Sequence, residues 1–239
     1  MRTIGFSTGA LAYSDFRLGL SMLLDLGIKA IELSSLRMPE WPLMLQALDS
    51  LDLSSFEYIS VHLPSKMDKS EEYKVIQSLD NWNSQYGWPL VLHPDAITDW
   101  NAWKSLGSIV CVENMDIRKP IGRTEADLEA IFAKLPEARL CFDIGHAWQV
   151  DPTMGEAYWI LKSFKERLVQ VHVSEVNSQS KHDSLSYATM ESFREVAHMI
   201  PSHVPLILES PVSKDQIRVE IEHARSALTI PTGKPQLVA

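Results

Sequence analysis

Eight short β-rich runs recur along this chain, each separated from the next by a stretch long enough for one helix, and that alternation restricts the available folds more than any single residue does. The runs are TIGFS, KAIELS, YISVH, PLVLH, IVCVE, ARLCFD, LVQVHV and PLILES. Between them, helical patterning covers 14–26, 39–50, 70–86, 99–106, 124–135, 153–166, 189–200 and 213–228. Ser14, Thr124 and Ser213 stand where an N-cap oxygen is expected. Strand and helix alternating eight times predicts an α/β fold, a single closed (β/α)8 TIM barrel filling 1–239 as one domain. At 239 residues, 45% of them hydrophobic, the chain can fill such a core without dividing. A doubly wound open sheet would place a glycine-rich phosphate turn after an early strand, and GFSTGA imitates one only weakly.

The strand ends carry the chemistry. Strands three to eight finish on His62, His93, Glu113, Asp143, His172 and Glu209. All strands of such a barrel point the same way, so these side chains are expected on one rim, the C-terminal face where this fold builds its active sites. Singly, each reads as an ordinary hydrogen-bonded rim residue. Together, three carboxylates at one mouth would repel one another, and burial would add a desolvation cost to each. A divalent cation relieves both. Carboxylate oxygens with imidazole nitrogens suit zinc or manganese, whereas no ligand cysteines are present for a Cys-rich structural zinc site. His146 follows Asp143 by three residues in DIGH, and His182 stands in the loop after strand seven; both are candidate ligands.

Charge and composition narrow the partners. The 22 basic and 31 acidic residues leave a net charge of −9, which disfavours DNA and anionic membrane surfaces and favours a small-molecule substrate. No apolar run approaches the roughly 20 residues a bilayer span needs, and MRTIGFSTGA carries no apolar signal region, so the expected location is the cytoplasm. Cys111 and Cys141 lie two residues before proposed ligands and should point inward as reduced core residues. Nothing in the sequence sets an oligomeric state.

VHLP, LVLHPD, CVENMD, LCFDIGH, VQVHVSEV and LILES resemble the successive strand ends of the xylose isomerase-like TIM-barrel superfamily, which includes endonuclease IV-type enzymes and sugar phosphate isomerases and epimerases. The resemblance covers strands three to eight, and its specificity lies in the order and spacing of the motifs. It implies that Glu113, Asp143, His172 and Glu209 are the four ligands of a mononuclear site whose two glutamates move a substrate proton. It also implies that His62 and His93, with a bridging Glu113, hold another zinc in the endonuclease IV branch, and that His146 and His182 belong to a third. That third site has an aspartate two residues before the loop histidine, where this chain has Ser180, leaving Asp183 or water to complete it.

Two chemistries follow from one to three divalent ions. A multinuclear centre that activates water for hydrolysis explains why histidines are present beyond the four-ligand core. One metal with Glu113 and Glu209 as an acid–base pair would instead isomerise or epimerise a sugar, with the surplus histidines binding hydroxyls. A barrel that binds without chemistry is a third reading. Glu113, Glu209 and His146 are the candidate catalytic groups. For the substrate, Trp148 offers an apolar wall unless it packs under the loop, Lys181 a phosphate contact unless it is simply solvated at the surface, and Glu32 either a place on the pocket rim or a pairing with a nearby Lys or Arg. The other histidines, His198, His203 and His223, read as structural or exposed.

Overall fold

A computed structural model describes residues 2–229; residue 1 and residues 230–239 of the expected domain lie outside the described residues. Eight parallel strands close into a barrel: β1 (Ile4–Ser7), β2 (Ala30–Ser34), β3 (Tyr58–His62), β4 (Leu90–Leu92), β5 (Val110–Glu113), β6 (Arg139–Asp143), β7 (Leu168–Val173) and β10 (Leu206–Leu208). They pair in chain order, and β1 closes the ring on β10 through Ile4↔Leu206 to Phe6↔Leu208. The two remaining strands, β8 (Glu175–Val176) and β9 (His182–Asp183), form a small antiparallel hairpin in the loop after β7. The expected (β/α)8 architecture is the one observed.

Strand alternation sorts the side chains. Outward-facing Phe6, Ile31, Leu33, Val61, Leu92, Val112, Phe142, Val171 and Leu208 join one large apolar core with the surrounding helices. The inward set is of another kind. Val91, Cys111 and Cys141 form a separate small apolar cluster, and around it stand fully buried Glu32, Ser60, Gln170 and His172. Both cysteines are buried and free, as the sequence implies.

The helices differ from the sequence pattern at their ends. The first main helix begins at Phe16 and is capped by Asp15, not Ser14, because the Asp15 carboxylate accepts from the Leu18 N–H. Thr124 caps Glu125–Lys134 as expected. Ser213 precedes a 3-10 turn, Lys214–Gln216, that leads into the helix Ile217–Leu228. The expected 70–86 helix breaks at Asn81, which sits at φ 70°, into Lys69–Ser78 and Trp82–Gln85.

Two short helices, Thr8–Ala12 and Ile144–Val150, were not legible in the pattern. The second explains DIGH. Asp143 is its N-cap: Oδ1 accepts from the His146 N–H at 2.7 Å, so the carboxylate ending β6 also starts the turn that carries His146. Gly145 allows this turn to lie against β7, since a Cβ there would stand 2.4 Å from the Ser174 carbonyl oxygen. Gly145→Ala should therefore displace Asp143 and His146 together and cost about 1–3 kcal/mol as an overpacking change. For a chain of this size that corresponds to a loss of roughly 2–12 °C in Tm; an unchanged thermal unfolding curve would contradict the packing account.

Candidate metal centre

The barrel brings the six expected strand-end residues together at one mouth. Glu113, almost wholly buried at the end of β5, is the meeting point. Its Oε2 lies 3.2 Å from Nε2 of both His62 and His93, while its Oε1 lies 3.4 Å from Nδ1 of both His172 and His146. Four imidazoles from the ends of β3, β4, β6 and β7 thus divide between the two oxygens of one carboxylate. Asp143 and His172 are register partners on adjacent strands, and Glu209, one residue past β10, reaches His172 Nδ1 at 3.5 Å.

Two sets of donor atoms are close enough to share a cation. His62, His93 and Glu113 form one; Glu113, Asp143, His172 and Glu209 form the other, and within each set the ligand atoms lie within 4.8 Å of one another. The donor chemistry fits a divalent metal in a further respect. Asp143 Oδ2 and His172 Nδ1 are buried with no hydrogen-bond partner among the described residues, and so is His93 Nδ1. Buried polar atoms are ordinarily satisfied, and the first two belong to the four-residue set.

The charge balance points the same way. Burial raises the Asp143 carboxyl above its usual range, and burial with repulsion from Glu113, Asp143 and Glu32 brings Glu209 to about 7 against the opposing pull of His172. Burial also disfavours an ionised Glu113, but His93 and His172 hold it well below the ordinary value. His62 rises to about 9: its hydrogen bond to Glu113 and the charges of Glu113, Glu32 and Glu209 outweigh burial. Without a cation, protons must be recruited to keep this cluster neutral.

Supporting residues fix the histidines. His62 Nδ1 donates to the Leu63 carbonyl at 2.7 Å, leaving Nε2 for the site. His172 turns the other way, with Nε2 donating to Glu32 Oε2 at 3.0 Å and Nδ1 facing the carboxylates. Gln170 Nε2 also donates to Glu32, at 2.7 Å, and Tyr58 donates to Gln170 Oε1, so its amide orientation is set. This corrects the expectation for Glu32. It is neither on the rim nor paired with a Lys or Arg; it is fully buried beneath His172 and bonded to Ser60 and Gln170.

A cavity of about 940 Å³ opens above the cluster, lined among others by His62, His93, Glu113, His146, His182 and Glu209. His182 joins the site from the β8–β9 hairpin: its ring lies 5.5 Å from that of His146, and its Nδ1 is 2.7 Å from Ser174 Oγ. Ser180 lines the cavity at φ 53°, with its hydroxyl bonded to Gln149. Asp183 does not take the missing aspartate's place, because it is exposed and accepts from Asn177 within the hairpin. Lys181 lines the cavity. Trp148 does not line it and packs against the apolar core, the alternative left open for it.

Several residues escaped the sequence reading. Asp116 is buried, lines the cavity and is held at about 2 by Arg118 despite the cost of burial; its two oxygens accept from Arg118 Nε at 2.9 Å and Nη2 at 3.2 Å. Its spacing was a signal: Asp116 follows Glu113 by three residues, as His146 follows Asp143. Asn114 clamps β6 by donating to the Asp143 carbonyl and accepting from the Asp143 N–H. Lys66, Arg118 and Lys119 join Lys181 around the mouth, with Lys119 paired to Asp95 at 2.7 Å. Among the described residues no helix is long and apolar enough to cross a membrane.

No protein-family model and no curated protein matches the chain. Solved structures do. Endonuclease IV from Thermus thermophilus is 17% identical with a TM-score of 0.64, over 95% of this chain and 99% of that one. A xylose isomerase domain containing protein from Salmonella typhimurium is 14% identical with a TM-score of 0.65, over 96% and 98%. A candidate sugar phosphate isomerase/epimerase from Anabaena variabilis is 14% identical with a TM-score of 0.59, over 98% and 92%. The closed eight-stranded barrel and these likenesses agree on the fold: the chain has the (β/α)8 barrel of these structures.

Proposed function

We propose that this protein is a metal-dependent hydrolase of a small phosphorylated compound, working at a zinc or manganese centre of at least two ions that share Glu113. The observation that carries the reading is the division of that carboxylate, with Oε2 facing His62 and His93 and Oε1 facing His172 and His146. A single ion in the four-residue set would leave the first pair without a metal to hold. Bound divalent ions would lower the pKa of water and offset the negative charge that develops on phosphate.

The chain's own residues supply the rest. His62, His93 and Glu113 would hold one ion, and Glu113, Asp143, His172 and Glu209 the other, with His146 and His182 available to a third or to the substrate. Glu209, about 12% exposed at the cavity wall and poised near neutrality, is placed to give or take a proton at the substrate. Lys66 and Lys181 are exposed at the mouth, and Arg118 and Lys119 are held there by Asp116 and Asp95. Such a cationic rim in an acidic chain suits an anionic substrate.

One observation favours the second reading, a sugar or sugar phosphate isomerase or epimerase with a single metal. Glu113 and Glu209 flank the four-residue set with pKa values displaced in opposite directions, the pattern of an acid and a base. Metal content separates the two readings. The hydrolase reading expects two or three ions per chain in protein purified without chelator, and His93→Ala should lose about one equivalent and most hydrolysis of phosphomonoesters or of abasic-site DNA. Hydrolysis of the DNA would also reinstate nucleic acid as a partner. Metal content unchanged in His93→Ala, together with solvent deuterium entering a sugar carbon, would replace the hydrolase reading with the epimerase one.

Metal should also stabilise the fold. A ligand bound only by the folded state adds about 2.7 kcal/mol at a free concentration 100 times its Kd, so chelation should lower Tm by several degrees and added zinc or manganese should restore it. A melting curve that does not move once metal removal is verified by elemental analysis would argue against the centre.

A further inference from the structure

The opposite mouth of the barrel holds a second cavity, of about 610 Å³, that none of the chemistry above uses. It lies where β1, β2 and β3 begin, between Thr3–Ile4, Ile28–Lys29 and Glu57 on the barrel side and Arg218, Ile221, Glu222 and Arg225 on the helix Ile217–Leu228. Four cations line it, Arg2, Lys29, Arg218 and Arg225, against two carboxylates, Glu57 and Glu222. The excess is two positive charges, in a chain whose net charge is −9.

The carboxylates are already engaged. Glu222 pairs with Arg225 at 2.6 Å, and Glu57 lies 3.7 Å from Lys29. Arg2 and Arg218 have no carboxylate partner among the described residues. Arg2 donates through Nη2 to the Ile200 carbonyl at 2.7 Å, and Arg218 through Nη2 to the Leu26 carbonyl at 3.2 Å. Arg2 Nε and Nη1 are buried with no hydrogen-bond partner among the described residues, and Arg225 Nε is in the same condition. A guanidinium presents five donors in a planar fork suited to oxyanions, and leaving charged donors buried and unsatisfied costs more than leaving neutral ones so. A cleft lined by four cations with an excess of two positive charges matches a doubly charged oxyanion in charge.

We propose that this cleft is a binding site for a small dianionic ligand, phosphate or a phosphomonoester, held by Arg2 and Arg218 with Lys29 and Arg225 at its edge. The site is separate from the metal ligands, which stand at the C-terminal ends of the barrel strands, and it does not rest on the hydrolase reading. In this fold the N-terminal face serves stability and not chemistry, so the bound anion would tie β1 and the β2 approach to the helix Ile217–Leu228. Its effect would be on folding stability.

The test is a titration of inorganic phosphate, with sulfate in parallel and chloride matching the ionic strength, into the metal-loaded protein while Tm is followed. The parent should gain Tm progressively with phosphate up to about 20 mM, as mass action requires. In Arg2→Gln and Arg218→Gln the phosphate concentration for half the effect should rise about tenfold, the loss expected for one charge-assisted pair, with metal content unchanged. Lys29→Gln, altering a half-exposed side chain, keeps the test available if the arginine variants do not fold, and it should shift the midpoint about two- to fivefold. A parent indifferent to phosphate would overturn the proposal. So would equal responses from the parent and all folded variants, because the anion would then be acting at the metal centre or as a general salt.

Discussion

The centre of this structure is a carboxylate that four imidazoles approach from two sides. Glu113 is buried at the end of β5, where an ionised group is costly, and its charge is tolerated only because His62, His93, His146 and His172 surround it. Those histidines come from four different strand ends or post-strand turns. The arrangement therefore depends on barrel closure: opening the β1–β10 seam would let Glu32 move away from His172. Conversely, a cation that joins these ligands would tie the strands together.

The barrel interior shows how the fold carries so much polarity. In the usual TIM barrel the inner layers are filled by bulky branched side chains. Here the layer beneath the ligands contains Glu32, Ser60, Gln170 and Tyr58, linked by hydrogen bonds, with only Val91, Cys111 and Cys141 as a compact apolar cluster. The apolar core lies outside the strands, against the helices. This division lets the interior orient His172 through Glu32 while the outer core supplies most of the hydrophobic burial. A carboxylate hydrogen-bonded to the far nitrogen of a ligand histidine fixes the ring and raises its basicity, the usual service of residues behind a metal ligand.

Charge is also distributed unevenly between the two mouths. At the C-terminal mouth, cations ring a cluster of carboxylates and imidazoles, and Asp116 and Asp95 hold Arg118 and Lys119 in place. At the N-terminal mouth, arginines gather with too few carboxylates to match them. A net charge of −9 conceals both features, so the bulk balance is a weak guide to what either mouth binds.

How much was legible in the sequence follows from the physics of each feature. The barrel and the common rim of His62, His93, Glu113, Asp143, His172 and Glu209 could be read because strand alternation and parallel strands place every strand end on one face, whatever the loops do. The turn DIGH was partly legible, since its three-residue spacing matches a helix N-cap, although the cap itself was not foreseen. Glu32 was misplaced because its partners, Gln170 and His172, are 138 and 140 residues away and meet it only across the closed barrel. Trp148 and Asp183 were decided by packing and by a hairpin that the pattern does not encode. The cavity at the other mouth brings Arg2 beside Arg218 from opposite ends of the chain. The sequence by itself determined which residues end the strands and hence the chemistry of the rim; only the tertiary structure decided which donors face one another, because closing a ring of strands joins distant residues that no local periodicity relates.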